Sequence, residues 1–167
     1  MKRYIFISAL VLSSALSTTA WAHGSKEDDD HAEKAEVVKE QKPWGIAGDA
    51  ADVSRTIDVS MKDTMRFTPE LVDIKVGETI RFVAKNDGQI LHEFVLGTTE
   101  TNDSHAEMML KYPGMEHDEP YMTHVDPSES GEIIWTFNRA GKFDFACLIA
   151  GHYQAGMRGD IVVGDND

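Results

Sequence analysis

The chain has 167 residues, of which 41% are hydrophobic and 27% charged, enough for one core and too few for two comfortable domains. Acidic residues outnumber basic ones 29 to 16, a formal net charge of −13, and a surface of that sign repels phosphate backbones and anionic lipid heads, which argues against nucleic-acid and polybasic membrane binding. A single cysteine excludes an internal disulfide and a cysteine-only zinc cage, leaving a nucleophile, a metal ligand or a buried apolar side chain.

Lys2 and Arg3 precede an apolar run from Tyr4 to Leu16, the length of a signal-peptide core and short of the roughly 20 residues that span a bilayer. Ala20-Trp21-Ala22 supplies the small-x-small cleavage pattern. Residues 1–22 are therefore expected to be removed after Ala22, giving an exported protein, periplasmic in a Gram-negative host, with no membrane attachment after cleavage. An exposed lone thiol is a liability in an oxidising compartment, so Cys147 is expected to be buried, catalytic or capped by a metal. Residues 23–53 carry Asp28-Asp29-Asp30 and few large apolar groups, and read as a flexible acidic tail that cannot offset its ordering entropy.

From Ser54 the pattern turns to strands. Ile57, Val59 and Met61 alternate with polar residues, as a half-buried strand requires. Leu71 to Val76 meets the Gly77-Glu78 turn, and Thr79 to Ala84 continues as a β-branched run. Asn86-Asp87-Gly88 marks another turn before His92 to Leu96, and Ile133/Trp135/Phe137, Phe143/Phe145/Cys147 and Ile161-Val162-Val163 supply the later strands. Strands at this spacing with glycine-containing turns predict an all-β sandwich or barrel over residues 54–164. An insertion over 98–130 interrupts the rhythm. Ser104 and Glu107 fit a capping box for a short helix running to about Tyr112, where Pro113-Gly114 ends it. The rest of the insertion reads as loop.

The chemistry concentrates in one arc, Cys147-Leu-Ile-Ala-Gly-His152-Tyr-Gln-Ala-Gly-Met157. A loop between two strands there presents a thiolate, an imidazole and a thioether, with Gly151 and Gly156 each preceding a candidate ligand. Two His and one Cys in a plane with a distant Met form an electron-transfer copper arrangement. The missing imidazole is expected from His92, which opens a strand just after a turn. Two rivals stand beside copper. A cysteine hydrolase built on Cys147 and His152 needs a cationic neighbourhood and an oxyanion site, and zinc has little use for Met.

At these residues the sequence resembles the cupredoxin family, the plastocyanin- and azurin-like single-domain copper proteins. The likeness covers Ser54 to Gly164, through Val76-Gly77-Glu78-Thr79-Ile80-Arg81-Phe82, His92-Glu93-Phe94, Gly141 to Cys147, and the loop through Met157-Arg158-Gly159. It implies a cupredoxin-like Greek-key β-sandwich or barrel and a type 1 copper site, with His92, Cys147 and His152 in the trigonal plane and Met157 axial. The Cys-to-His-to-Met spacing is more similar to the rusticyanin and auracyanin type than to plastocyanin. The family's usual Asn or Ser after the first histidine is Glu93 here, a charge that favours Cu(II) unless the side chain points outward.

A second group, His105, Met108, Met109, Met115, His117, Met122 and His124, crowds the insertion. Thioethers hold Cu(I) and imidazoles hold either copper state, so these are candidate secondary copper donors, against the reading that the methionines are packing and the histidines solvated. His23 and His31 in the tail are further candidates. The resemblance implies one-electron Cu(I)/Cu(II) cycling with a redox protein as partner and no substrate turned over, hence no enzyme. The Met/His insertion and the tail are similar to those of cupredoxins associated with bacterial copper tolerance. The alternatives are a copper chaperone or a dedicated shuttle between respiratory proteins. A shuttle needs an apolar docking patch around His152, for which Ala150, Tyr153 and Ala155 are candidates.

Overall fold

A computed structural model describes residues 39–115 and 117–164; the expected signal peptide, most of the tail, His23 and His31 lie outside them. Within the described residues the first half of the chain forms β1 (Ile46–Ala47), β2 (Arg55–Lys62), β3 (Arg66–Thr68), β4 (Leu71–Lys75) and β5 (Thr79–Asn86). Then come β6 (His92–Gly97), helix α1 (Thr99–Lys111), β7 (Met122–Val125), β8 (Ser130–Thr136), β9 (Gly141–Ala146) and β10 (Arg158–Gly164). They make two five-stranded sheets, in the orders β1-β8-β5-β2-β3 and β4-β10-β9-β6-β7.

Alternation explains the sandwich. Val59 and Met61 from β2, Ile80 and Phe82 from β5, and Ile133 and Trp135 from β8 point to one side of the first sheet and are buried. Val72 and Ile74, Phe94 and Leu96, Phe143 and Phe145, and Ile161 and Val163 do the same in the second sheet and join the same core cluster. Side chains at every second position on a pleated strand share a face, so both apolar faces close on one another. β2 pairs with β5 in parallel, as β4 does with β10. A parallel partner needs a crossover, and the first crossover is made by β3 and by β4 in the opposite sheet. The all-β expectation holds, as do the seven strands read from alternation and β-branched runs.

β6 is buried at every position, because both its faces are covered. Phe94 and Leu96 meet the sandwich core, while Val95 meets a second cluster in which Ala106 and Met109 of α1 pack with Met122, Ala146, Leu148 and Tyr153. The helix thus lies over the outer face of the second sheet, beside the Cys147 loop.

Three expectations change. The helix begins at Thr99 rather than after Ser104. Thr98 is extended and its hydroxyl accepts from the Thr101 N–H at 3.2 Å, while the Thr101 hydroxyl accepts from the Thr98 N–H at 2.9 Å. A threonine at the third helical position closes this capping box where a Glu was sought; the end at Tyr112 agrees. Second, Met122–Val125 is a strand and not loop, paired antiparallel with β6 from His92↔Val125 to Val95↔Met122. Third, the described part of the tail is anchored well before residue 53. Ile46 and Ala47 pair with Thr136 and Trp135, and the Trp44 ring lies 6.5 Å from Trp135 and 5.3 Å from Tyr121. A tryptophan buries about 150–250 Å², so one aromatic residue anchors a segment that composition alone assigns to the tail.

Candidate metal centre

His92, Cys147, His152 and Met157 gather at one end of the second sheet. His92 opens β6, Cys147 follows β9, and Met157 precedes β10, so two neighbouring strands and one turn deliver all four. The turn is wound by its own backbone. The His152 N–H donates to Ile149 O at 2.9 Å, the Met157 N–H to His152 O at 3.1 Å and the Cys147 N–H to Met157 O at 3.0 Å. Gly156 has φ +96°, in the left-handed region that favours glycine. A Cβ there would also lie 2.9 Å from Arg66 Nη1, which donates to Ala155 O at 3.0 Å and ties the turn to β3 of the other sheet.

One donor atom from each of His92, Cys147 and His152 lies within 4.8 Å of the other two, and these three form the one such cluster of three or more His, Cys, Asp or Glu among the described residues. The Cys147 Sγ stands 3.3 Å from His152 Nδ1, and the two imidazole rings are 5.1 Å apart, tilted by 58°. Bonds of about 2.0–2.3 Å to one ion would set donors no more than roughly 4.6 Å apart, the scale of this triangle. His92 and Cys147 are fully buried, as is Met157, which shares the core cluster with Cys147.

The imidazole of His92 is set by Asp63, in the turn after β2. Asp63 Oδ1 is 3.1 Å from His92 Nε2, so the carboxylate fixes the proton on Nε2 and leaves the Nδ1 lone pair facing the triangle. That Nδ1 is buried and has no hydrogen-bond partner, as expected of an atom reserved for a ligand bond. The Gln89 N–H, which donates to Asp63 Oδ2 at 2.8 Å, and then His92 hold the Asp63 carboxyl below its ordinary range. Gly88 is required there, since a Cβ would lie 2.0 Å from Asp63 Oδ1. Burial lowers the pKa of His152, and the neighbouring His92 lowers it further, which keeps its ring neutral and able to donate a lone pair. Burial pushes the Cys147 thiol up to about 12, with the Glu93 and Ile149 N–H groups pulling back.

Glu93 is 1% exposed. Strand alternation turns it away from the core side of β6, under β7 and the turn. Its N–H donates to Cys147 Sγ at 3.3 Å, its Oε2 accepts from the Leu148 N–H at 3.2 Å, and its Oε1 meets His124 Nε2 at 3.0 Å. One residue therefore fastens β6 to the Cys147 turn twice. Burial raises its pKa, with His124 and the Leu148 N–H opposing. Of the expected second group, His124 is engaged by Glu93 and Met122 packs beneath α1. Met108 is exposed, and His105 and His117 face each other with ring centres 4.7 Å apart. The seven residues do not form one site. Tyr153, a candidate for an apolar docking patch, is buried with its hydroxyl donating to Asp103 Oδ1 at 2.7 Å; exposed Ile90 and Leu91 flank His92 instead. Asp63 and Arg66 carry no local signal, since a turn aspartate and a strand arginine are ordinary surface residues.

Residues 53–164 match the model of the family described as copper binding proteins, plastocyanin/azurin family. The copper-resistant cuproprotein CopI of Rubrivivax gelatinosus is 48% identical over 169 residues, covering 98% of this chain and 99% of that protein. The protein of the same name in Pseudomonas aeruginosa is 37% identical over 149 residues, 72% of this chain and 82% of that protein. In fold, the chain is similar to dithionite-reduced auracyanin of Roseiflexus castenholzii, with TM-score 0.58, 21% identity and coverage of 67% of this chain and 98% of that one. Auracyanin B gives TM-score 0.60 at 18% identity, covering 72% of this chain and 94% of that one. With a two-sheet sandwich carrying a buried His–Cys–His triangle at one end, this copper-binding chain belongs to the plastocyanin/azurin family.

Proposed function

We propose that His92 Nδ1, Cys147 Sγ and His152 Nδ1, with the Met157 thioether as fourth donor, hold one copper as a type 1 centre in a protein exported to the periplasm, where it serves copper tolerance. The observation that carries this reading is the triangle of donor atoms within 4.8 Å of one another, one of them a buried ring nitrogen without a partner. Held by two imidazoles, a thiolate and a thioether, copper supplies one-electron chemistry. The chain's own part is to fix those donors. Asp63 orients His92, Glu93 ties the turn to β6, and Arg66 ties it to the opposite sheet, so the donor cage need not rearrange between oxidation states. The tolerance role is supported by the copper-resistant cuproproteins that the chain resembles over nearly its whole length.

A nucleophilic role for Cys147 fits poorly. Catalytic thiols are depressed by a cationic surrounding, whereas this one is fully buried and pushed up to about 12. The shuttle reading gains one observation, the exposed pair Ile90 and Leu91 next to His92, an apolar surface on which a redox partner could rest.

Cu(II) added to the mature protein should produce an intense thiolate-to-copper visible band that saturates at one equivalent, bleaches on mild reduction and returns on oxidation. A fully loaded protein that stays colourless under oxidising conditions would reject the type 1 assignment. Asp63→Ala should weaken copper binding by about 10–100-fold, the usual cost of removing the partner of a ligand imidazole. Competition against a chromophoric chelator reads this, and an unchanged affinity would show that His92 does not depend on Asp63.

A further inference from the structure

Outside that centre, the insertion holds a second pair of imidazoles in a similar arrangement. His105 and His117 lie 4.7 Å apart, tilted by 41°, against 5.1 Å and 58° for His92 and His152. They come from different segments, α1 and the stretch before β7, so no helical repeat forces them together. The Nε2 of His105 is buried and has no hydrogen-bond partner. A buried ring nitrogen facing another imidazole without a hydrogen bond is a cost unless something else occupies the lone pair. Met109 follows His105 by one helical turn, on the same face of α1, and is buried. Met109, Met115 and His117 also line one cleft of about 530 Å³, whose rim carries Asp118 and Asp126.

We infer that His105, His117 and Met109, with Met115 beside them, form a second metal site selective for a soft monovalent cation, Cu(I) in the cell. The donors set the class. Neutral imidazoles and thioethers suit Cu(I), while a divalent ion such as zinc favours thiolate, imidazole or carboxylate. Burial, and then His117, lower the pKa of His105, which keeps a lone pair available near neutrality. The rim aspartates add negative potential that attracts a cation. The site is distinct from the type 1 centre, because it shares no donor with it.

The test uses the full mature chain with the Cys147 centre already loaded, Cu(I) as the probe and a competing chromophoric chelator as the readout. The wild type should take up a second equivalent. His117→Ala and the pair His105→Ala with His117→Ala should bind it at least tenfold more weakly, and Met109→Leu should weaken it in the same direction. The visible band of the Cys147 centre should be unchanged in all of them, which also shows that the variants are folded. His23→Ala with His31→Ala should retain the second equivalent. Repeating the titration in Cys147→Ser, which should then bind a single Cu(I), separates this site from the type 1 assignment. Absence of a second equivalent in the wild type, its survival in the His105/His117 variant, or its loss with His23 and His31 would each overturn the inference.

Discussion

Cys147→Ser should abolish the visible band and lower copper affinity by more than about 100-fold, beyond what loss of a ligand's hydrogen-bond partner costs. The sulfur is the only donor of the triangle that becomes anionic. It is also the only one whose bond to the metal can give an intense charge-transfer transition, and a serine hydroxyl replaces neither property. The fold should survive, because the buried oxygen inherits the Glu93 N–H that now points at Sγ from 3.3 Å. Thermal unfolding separates the two effects. A ligand that binds only the native state stabilises it by mass action, by about 4 kcal/mol at a thousandfold excess over the dissociation constant. Copper should therefore raise the unfolding temperature of the wild type and leave that of Cys147→Ser nearly unmoved. A variant that keeps its colour would place the copper elsewhere.

Trp135→Ala should destabilise the metal-free protein by about 3–5 kcal/mol, the range for truncating a large buried aromatic. Trp135 is fully buried in β8, packs against Trp44 and Tyr121, and donates its Nε1–H to Trp44 O at 3.0 Å. Trp135→Phe separates area from hydrogen bonding. It keeps most of the apolar surface but leaves the Trp44 carbonyl without its donor, at a cost of about 1–3 kcal/mol if the group stays buried. Urea unfolding of the two variants reads both. Trp135 pairs with Ile80 near the start of β5, whereas the copper ligands stand at the opposite end of the sheets. The visible spectrum of the folded fraction should therefore be unaffected, and a large spectral change would mean that the two ends are coupled more tightly than the contacts suggest.

The same tryptophan shows where sequence reading stops. Ile57, Val59 and Met61 declare a strand because alternation records a surface with one wet side. β1 has two residues, β3 has three, and β7 reads Met-Thr-His-Val; segments so short owe their pairing to neighbours far away in the chain. Trp44 anchors residues 42–48 through partners about ninety positions on, a contact no local window can contain. The donor set was legible because Cys147, His152 and Met157 share one loop and His92 opens an evident strand. Asp63 was not, since its role depends on two turns from different sheets meeting at Gly88. The double function of Glu93 was half legible: alternation predicted that it points away from His92, but only the covering by β7 and the turn buries it.

Glu93 acts on the cysteine through its peptide group and on the turn through its side chain. Every residue type except proline carries that peptide N–H, so the bond to sulfur persists whichever amino acid occupies the position. The side chain is released from that duty and can vary between lineages, provided it still offers an acceptor to Leu148. Tuning of the loop and tuning of the thiolate are thereby genetically independent, and a carboxylate can take the place of a neutral amide or hydroxyl without erasing the electronic character of the sulfur.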